Sequence, residues 1–218
     1  MNVSQAVTEV ISSSQLYSEA LNIGIANVSS IARQIQREVV KLIGSDVSES
    51  AIIMAIKRLP PDQTILLDKS IDGFLEKLGD ITVRSDLIDH TYANSLSLTG
   101  AQQELLSLIS KDDSLFYSSC KGVHETTIVS SSRIQNRIDD LFAGEELISK
   151  RIDLAAVSVM LPPSNLETHG IYYVILKRLA WRGINIVEIL STSHEISLVV
   201  AAADVHEVFG IILDLKRG

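Results

Sequence analysis

Ser191-Thr192-Ser193-His194-Glu195 sets hydroxyls, an imidazole and a carboxylate side by side in this 218-residue chain. Such a run would supply a nucleophile and its base only if the side chains shared a face. On a strand or hairpin, neighbouring residues point to opposite faces. The five histidines, His90, His124, His169, His194 and His206, are scattered without a His-Glu-x-x-His or Cys-His pattern, so no metal is expected. Asp112-Asp113 and Asp139-Asp140 read as caps and solvated surface rather than acid–base pairs. No glycine-rich phosphate loop of standard spacing is present, and no cofactor is expected. The chain therefore reads as non-enzymatic, and the chemistry left to it is binding. That chemistry concentrates near the C-terminus: a glycine-headed helix from Gly170 to Arg182, then Gly183-Ile184-Asn185-Ile186, then the serine-rich run. Strand, loop, helix, strand, hairpin, strand and helix in that order read as a small ligand-binding module rather than a catalytic site.

Bulk properties narrow the partners. A formal net charge of −8 and a pI near 5.1 disfavour any nucleic-acid contact that relies on overall electrostatics. Lys177 and Arg178 interrupt the apolar stretch Ile171–Trp181, and Asp153 precedes the short run Leu154–Leu161, so no segment reaches membrane-spanning length. Met1-Asn2-Val3-Ser4-Gln5 lacks a basic segment and an apolar core, so no secretory signal is expected. A lone cysteine, Cys120, fits a reducing cytoplasm and is expected in a strand as a buried, inert thiol.

The elements that must position the binding residues recur with a period of about seventy residues. In 80–150 the pattern is β-α-β-β-α. The strands fall in Ile81–Ala93, Leu115–Ser119 and Val123–Ser130, and Lys121-Gly122 makes the turn. The first helix, Gly100–Ser110, is expected to bury Leu105, Leu106, Leu108 and Ile109, and the second, Arg133–Leu141, carries Ile134, Ile138 and Leu141. Glu146–Lys150 is a candidate closing strand. In 151–218 the order repeats, with strands at Val157–Leu161, Ile184–Leu190 and Ile196–Ala202 and a helix striped by Ile171, Val174, Ile175 and Leu179. A final helix is expected to open on Asp204 with Glu207 as capping-box partner. No fourth strand follows, which leaves an edge that needs covering.

Residues 1–61 read as helical. Val3, Ala6, Val7, Val10 and Ile11 stripe one helix, Leu16, Tyr17, Ala20 and Leu21 a second, and Ile31, Ile35 and Val39 a third. Gly44-Ser45-Asp46 breaks the chain, and Ser48 caps a fourth helix that ends at Pro60-Pro61. The section resembles the helix-turn-helix modules of transcription regulators. That resemblance makes Ser50, Met54, Lys57 and Arg58 candidate DNA contacts. A helical cap or dimerisation arm would show the same pattern. Residues 62–79 connect: Thr64–Leu67 suits strand or helix, and Ile71–Leu78 suits a helix.

Residues 155–210 resemble an ACT domain, the ferredoxin-like module that binds amino acids, and most closely the regulatory region of aspartate kinases. Gly170-Ile171 opening the helix, Gly183-Ile184-Asn185-Ile186, and Thr192-Ser193 before Ile196-Ser197-Leu198-Val199 carry the likeness. The resemblance implies an α+β fold, an N-terminal helix-turn-helix-like domain followed by two ferredoxin-like (βαββαβ, ACT-like) repeats, one in 80–150 and one in 151–218. It also implies that His169, Gly170, Ile171, Tyr172, Asn185, Val187, Thr192 and Ser193 surround an amino acid or similar metabolite. A glycine at the helix start admits a carboxylate to backbone N–H groups, and the Asn185 amide can donate and accept. Homodimerisation through the repeats follows from the same likeness. The expected function is a cytoplasmic regulator that senses an amino acid and acts on transcription. A regulatory subunit of an amino-acid biosynthetic enzyme, or a structural dimer without ligand, remain the alternatives.

Overall fold

The computed structural model describes residues 1–59, 71 and 73–217. The expectation for Thr64–Leu67 and the stop at Pro60-Pro61 lie outside these residues. The chain divides into two compact units, Met1–Ile71 and Asp72–Gly218.

The first unit is helical, with α1 (Val3–Ser13), α2 (Gln15–Asn22), α3 (Val28–Ile43) and α4 (Glu49–Lys57). Local chemistry sets each start. Asn2 and Gln5 form a reciprocal capping box, and Asn27 accepts from Ser30 N–H. Ser48 Oγ accepts from Ala51 N–H at 3.3 Å, as its position before an apolar run requires. Gly44, with φ of 78°, ends α3 in the left-handed conformation that glycine adopts without strain. Ala6, Val7, Val10, Ile31, Ala32, Ile35, Val39, Ile52 and Ile56 close the core.

The second unit is built on one antiparallel sheet. Its strands are β1 (Ile81–Ala93), β2 (Tyr117–Lys121), β3 (Glu125–Ser131), β4 (Leu147–Met160), β5 (Ile186–Ser191) and β6 (Glu195–Ala201), in the order β2-β3-β1-β4-β6-β5. Helices α5 (Leu98–Ile109) and α6 (Gln135–Leu141) belong to the first repeat, and α7 (Ile171–Trp181) and α8 (Val205–Arg217) to the second. The second α5 face differs from the expectation. Leu98 and Leu105 are buried, whereas Leu106 and Leu108 are 47% and 36% exposed. At 100° per residue they flank the stripe that Leu98, Ala101, Leu105 and Ile109 define. Asp204 lies in a 3₁₀ turn, Ala202–Asp204, that leads into α8, and Glu207 faces Arg182 at 3.7 Å.

β1 and β4 are each twice the length of an ordinary strand, because each serves both repeats. Ile81–Arg84 pairs with Ala156–Val159, and Asp89–Tyr92 pairs with Leu147–Arg151, around a central pair Leu87↔Leu154. Between them Ser85-Asp86 oppose Ala155 alone, and Ile152-Asp153 oppose Ile88 alone. These are reciprocal two-against-one bulges, and Asp86 and Asp153 share a φ of 55°. Each strand is mainly exposed before its bulge and buried after it. The second half of β1 is thus a central strand of the first repeat, and its first half closes the second. β4 does the converse. The edge expected to lack a fourth strand is covered by Ile81–Arg84 of the same chain.

The relation between the repeats extends to details. Gly122 N–H and Thr192 N–H close their hairpins on Glu125 and Glu195 carbonyls at 2.8 Å each. Asn94 N–H and Leu161 N–H bond the carbonyls of His124 and His194 at 2.9 and 2.8 Å. Thr91 pairs its hydroxyl with Thr127, and Ser158 pairs with Ser197. A Cβ on Gly79 would lie 2.8 Å from Met160 Cβ, where its N–H bonds the Met160 carbonyl at 2.9 Å, so only glycine permits that approach.

Asp89, on the buried half of β1, has a buried carboxylate oxygen, Oδ2, without a hydrogen-bond partner among the described residues. Burial, reinforced by Glu188 and opposed by Arg151, pushes its carboxyl up to about 6. The folded value exceeds the unfolded one, so the native state keeps the proton longer. This group's contribution therefore falls as pH rises through about 4 to 6 and stays low above. Asp89→Asn should raise stability at neutral pH by on the order of 2 kcal/mol relative to its effect at pH near 4. Urea unfolding across pH checks this, and an equal effect of the substitution at both pH values would contradict it.

Candidate functional site

The segment that follows β4 folds back over the end of the sheet. Pro162-Pro163 stop the strand, and Pro163–Leu166 form a 3₁₀ turn. Asn165 N–H bonds the Pro162 carbonyl at 2.9 Å, and both Thr168 N–H and Thr168 Oγ1 bond the Ser164 carbonyl. Gly170 then adopts φ of 86° at the N-cap of α7, a conformation that disfavours a side chain. Its carbonyl accepts from Val174 N–H, and no side chain caps the helix start. The positive end of an eleven-residue helix is therefore left without an internal acceptor there.

Two contacts join this turn to the β5–β6 hairpin. Tyr172 OH and Ser191 Oγ share a hydrogen bond of 2.7 Å. Asn165 Nδ2 donates to the Ser193 carbonyl at 3.3 Å. The oxygen of that amide, Asn165 Oδ1, is buried and lacks a partner among the described residues. An uncapped helix start and an unmet buried acceptor thus belong to one loop cluster. Together they suit a small ligand with an anionic and a donor group.

The expected site residues divide between this cluster and the rest of the repeat. Gly170, Tyr172, Thr192 and Ser193 belong to it, and exposed His169 precedes Gly170. Ile171 follows Gly170 but is buried in the core. Val187 packs with the cluster of Leu87, Val129, Leu154, Ala156 and Val199. Asn185 is exposed and lies before β5, at the opposite end of that strand from Ser191, about 20 Å along it. Asn165 and Ser191 were not among the expected residues. The Pro-Pro-Ser-Asn turn was the available signal for the first, and the reach of a tyrosine hydroxyl across the hairpin for the second.

Other reactive groups lie outside this cluster. His90 is fully buried with Nε2 3.4 Å from Asp139 Oδ1, and burial together with Lys150 holds its pKa below the ordinary value. Asp139 is clamped by Lys150 Nζ at 2.7 Å, which ties α6 to β4. Cys120 is exposed on β2, correcting the expectation of a buried thiol: β2 is an edge strand and its end faces outward. Among the described residues no group of three metal-binding side chains occurs, and no helix is long and apolar enough to cross a membrane.

In the helical unit, α4 exposes Ser50, Met54 and Lys57, and Arg58 follows as an exposed C-cap. Arg33 of α3 pairs with Glu49 of α4 at 3.1 Å, while Arg37 and Lys41 continue an exposed basic row at four-residue spacing.

No protein-family model and no curated protein matches the sequence. Solved structures match it by fold. The ligand-free regulatory subunit of aspartate kinase from Thermus thermophilus aligns with a TM-score of 0.51 and 14% identity, over 63% of this chain and 98% of that one. Aspartate kinase from Clostridium acetobutylicum gives a TM-score of 0.53 and 16% identity, but the matched part is 64% of this chain and only 34% of the enzyme. A structure of aspartokinase alpha and beta subunits gives 0.50 and 12%, over 65% of this chain and 99% of that one. Shared long strands, a pseudo-twofold pair of β-α-β-β-α repeats and these likenesses give one result: the chain carries the ACT-like fold of aspartate kinase regulatory subunits.

Proposed function

We propose that this chain is a non-catalytic regulatory protein that senses a free amino acid or a closely related metabolite. The observation that carries the reading is the loop cluster at the start of α7. There an uncapped helix N-terminus and the unmet Asn165 Oδ1 are tied to one hairpin by Tyr172–Ser191 and Asn165–Ser193. A carboxylate would satisfy the helix start, and an ammonium would reach the buried amide oxygen once the Asn165–Ser193 contact opens. The aspartate kinase regulatory folds support a regulatory role rather than catalysis.

Binding to the native state raises apparent stability by mass action, about 2.7 kcal/mol at a hundredfold excess over Kd. A thermal-shift screen of the twenty amino acids should therefore move the midpoint by several degrees for one or a few of them. Tyr172→Phe should reduce the shift, because it removes the bond that holds the hairpin against α7. No shift with any amino acid at millimolar concentration would contradict the reading.

The helical unit is the output element, and its electrostatics favour a protein partner over DNA. Residues 1–59 hold five basic and five acidic side chains, and Arg33 is already engaged by Glu49. The transcriptional reading rests on the exposed Ser50, Met54, Lys57 and Arg58. A gel-shift titration of the full chain with duplex DNA separates the two. Protein docking predicts no complex at low salt. A complex that weakens steeply with salt and is lost on Lys57→Ala and Arg58→Ala would assign the output to DNA.

A further inference from the structure

The bulge of β1 opens a cavity of about 390 Å³ that the sensing cluster at α7 does not use. Its volume lies in the range of small-molecule sites. Its lining contains two guanidinium groups and one carboxylate, Arg84, Arg133 and Asp86. Both arginines are held at the cavity by other lining residues. Arg84 Cζ lies 5.7 Å from the centre of the Phe116 ring, and Arg133 Nη2 donates to Ser114 Oγ at 3.1 Å. Ser114 Oγ donates in turn to Asp112 Oδ1 at 2.5 Å, and Arg133 also attracts that carboxylate electrostatically while spending one of its five N–H groups on Ser114. Among the described residues neither arginine forms an ion pair. Asp86, held at φ of 55°, accepts from Ser85 Oγ at 3.1 Å.

The second repeat supplies an internal control. Arg84-Ser85-Asp86-Leu87 recurs there as Arg151-Ile152-Asp153-Leu154, with the same φ of 55° at the aspartate, so the bulge itself belongs to the fold. Where β3 leads into Ser131-Ser132-Arg133, however, β6 leads into Ala201-Ala202-Ala203. The fold accepts three alanines at that junction. The Ser131 hydroxyl has a structural partner, since it accepts from Phe116 N–H at 2.9 Å, whereas the Arg133 guanidinium has no counterpart at Ala203 and is not required by the fold.

We propose that this cavity binds an acidic α-amino acid. Two guanidinium groups match two carboxylates, each suited to paired N–H donation, and Asp86 matches the ammonium. The proposal goes beyond the sensing site at α7, with which the cavity shares no residue.

Isothermal titration of the full chain with L-aspartate, L-glutamate, succinate and inorganic phosphate tests it. Wild type should bind at least one of the two amino acids, and prefer it to succinate, which lacks the ammonium. Arg84→Gln and Arg133→Gln, both at exposed positions, should each weaken that binding at least about tenfold. Asp86→Asn keeps a side chain that tolerates positive φ, and should erase the preference over succinate. Circular dichroism establishes that each variant is folded. No binding of either amino acid at millimolar concentration overturns the proposal. So does equal binding of succinate or phosphate by wild type. Binding that survives both arginine substitutions but is lost on Tyr172→Phe also overturns it, while leaving the sensing role at α7 intact. Loss of all neutral amino-acid responses with acidic binding retained would do the reverse.

Discussion

Everything in the sheet unit depends on the pairing of β1 with β4 around Leu87 and Leu154. Neither repeat holds four strands of its own; each borrows half of the other's first strand. The reciprocal bulges at Asp86 and Asp153 make this exchange geometrically tolerable. They add one residue to each strand, bend it, and hand its second half to a different set of neighbours. A closed exchange of this kind removes the unpaired edge that a three-stranded repeat would expose. It also makes the two cores interdependent, since a break at the central pair removes the closing strand from both.

The same architecture places binding chemistry at strand ends rather than on the sheet. Central strands are committed to apolar packing, and their polar groups are paired across strands, as Thr91 with Thr127 and Ser158 with Ser197. Groups with unmet capacity collect where strands turn into helices. At the start of α7 the backbone supplies positive potential and Asn165 an acceptor. Near the β1 bulge, two arginines and Asp86 meet across the first repeat. Under the proposed function, a ligand at such a strand end would act by changing the relative energies of arrangements that already exist.

Much of the element order was legible because it is local. Ser48 and the Ile196–Val200 alternation announce themselves through capping and period-two patterning, whereas Asn27 and Ser29 were equal candidates for the α3 cap and the structure takes Asn27. The doubled strands were not legible, since a bulge at Asp86 depends on which strand lies opposite, and an aspartate's tolerance of positive φ does not say where one occurs. The recurring His-Glu pairs at 124–125 and 194–195 were a usable signal of the repeat, as both glutamates close hairpins through their carbonyls. Site residues fared unevenly for a related reason. Gly170, Tyr172, Thr192 and Ser193 are near in sequence to the turns that gather them. Asn185 is close to them in sequence motif but a strand length away in space.

The central claim is that the α7 end of the second repeat receives an amino acid. Amide chemical-shift mapping of the isotopically labelled chain during amino-acid titration tests this at residue level. The account predicts saturable shifts centred on Asn165, Gly170, Tyr172 and Ser191–Ser193. Shifts confined to residues 1–59, or none in the sheet unit with any amino acid, would contradict it.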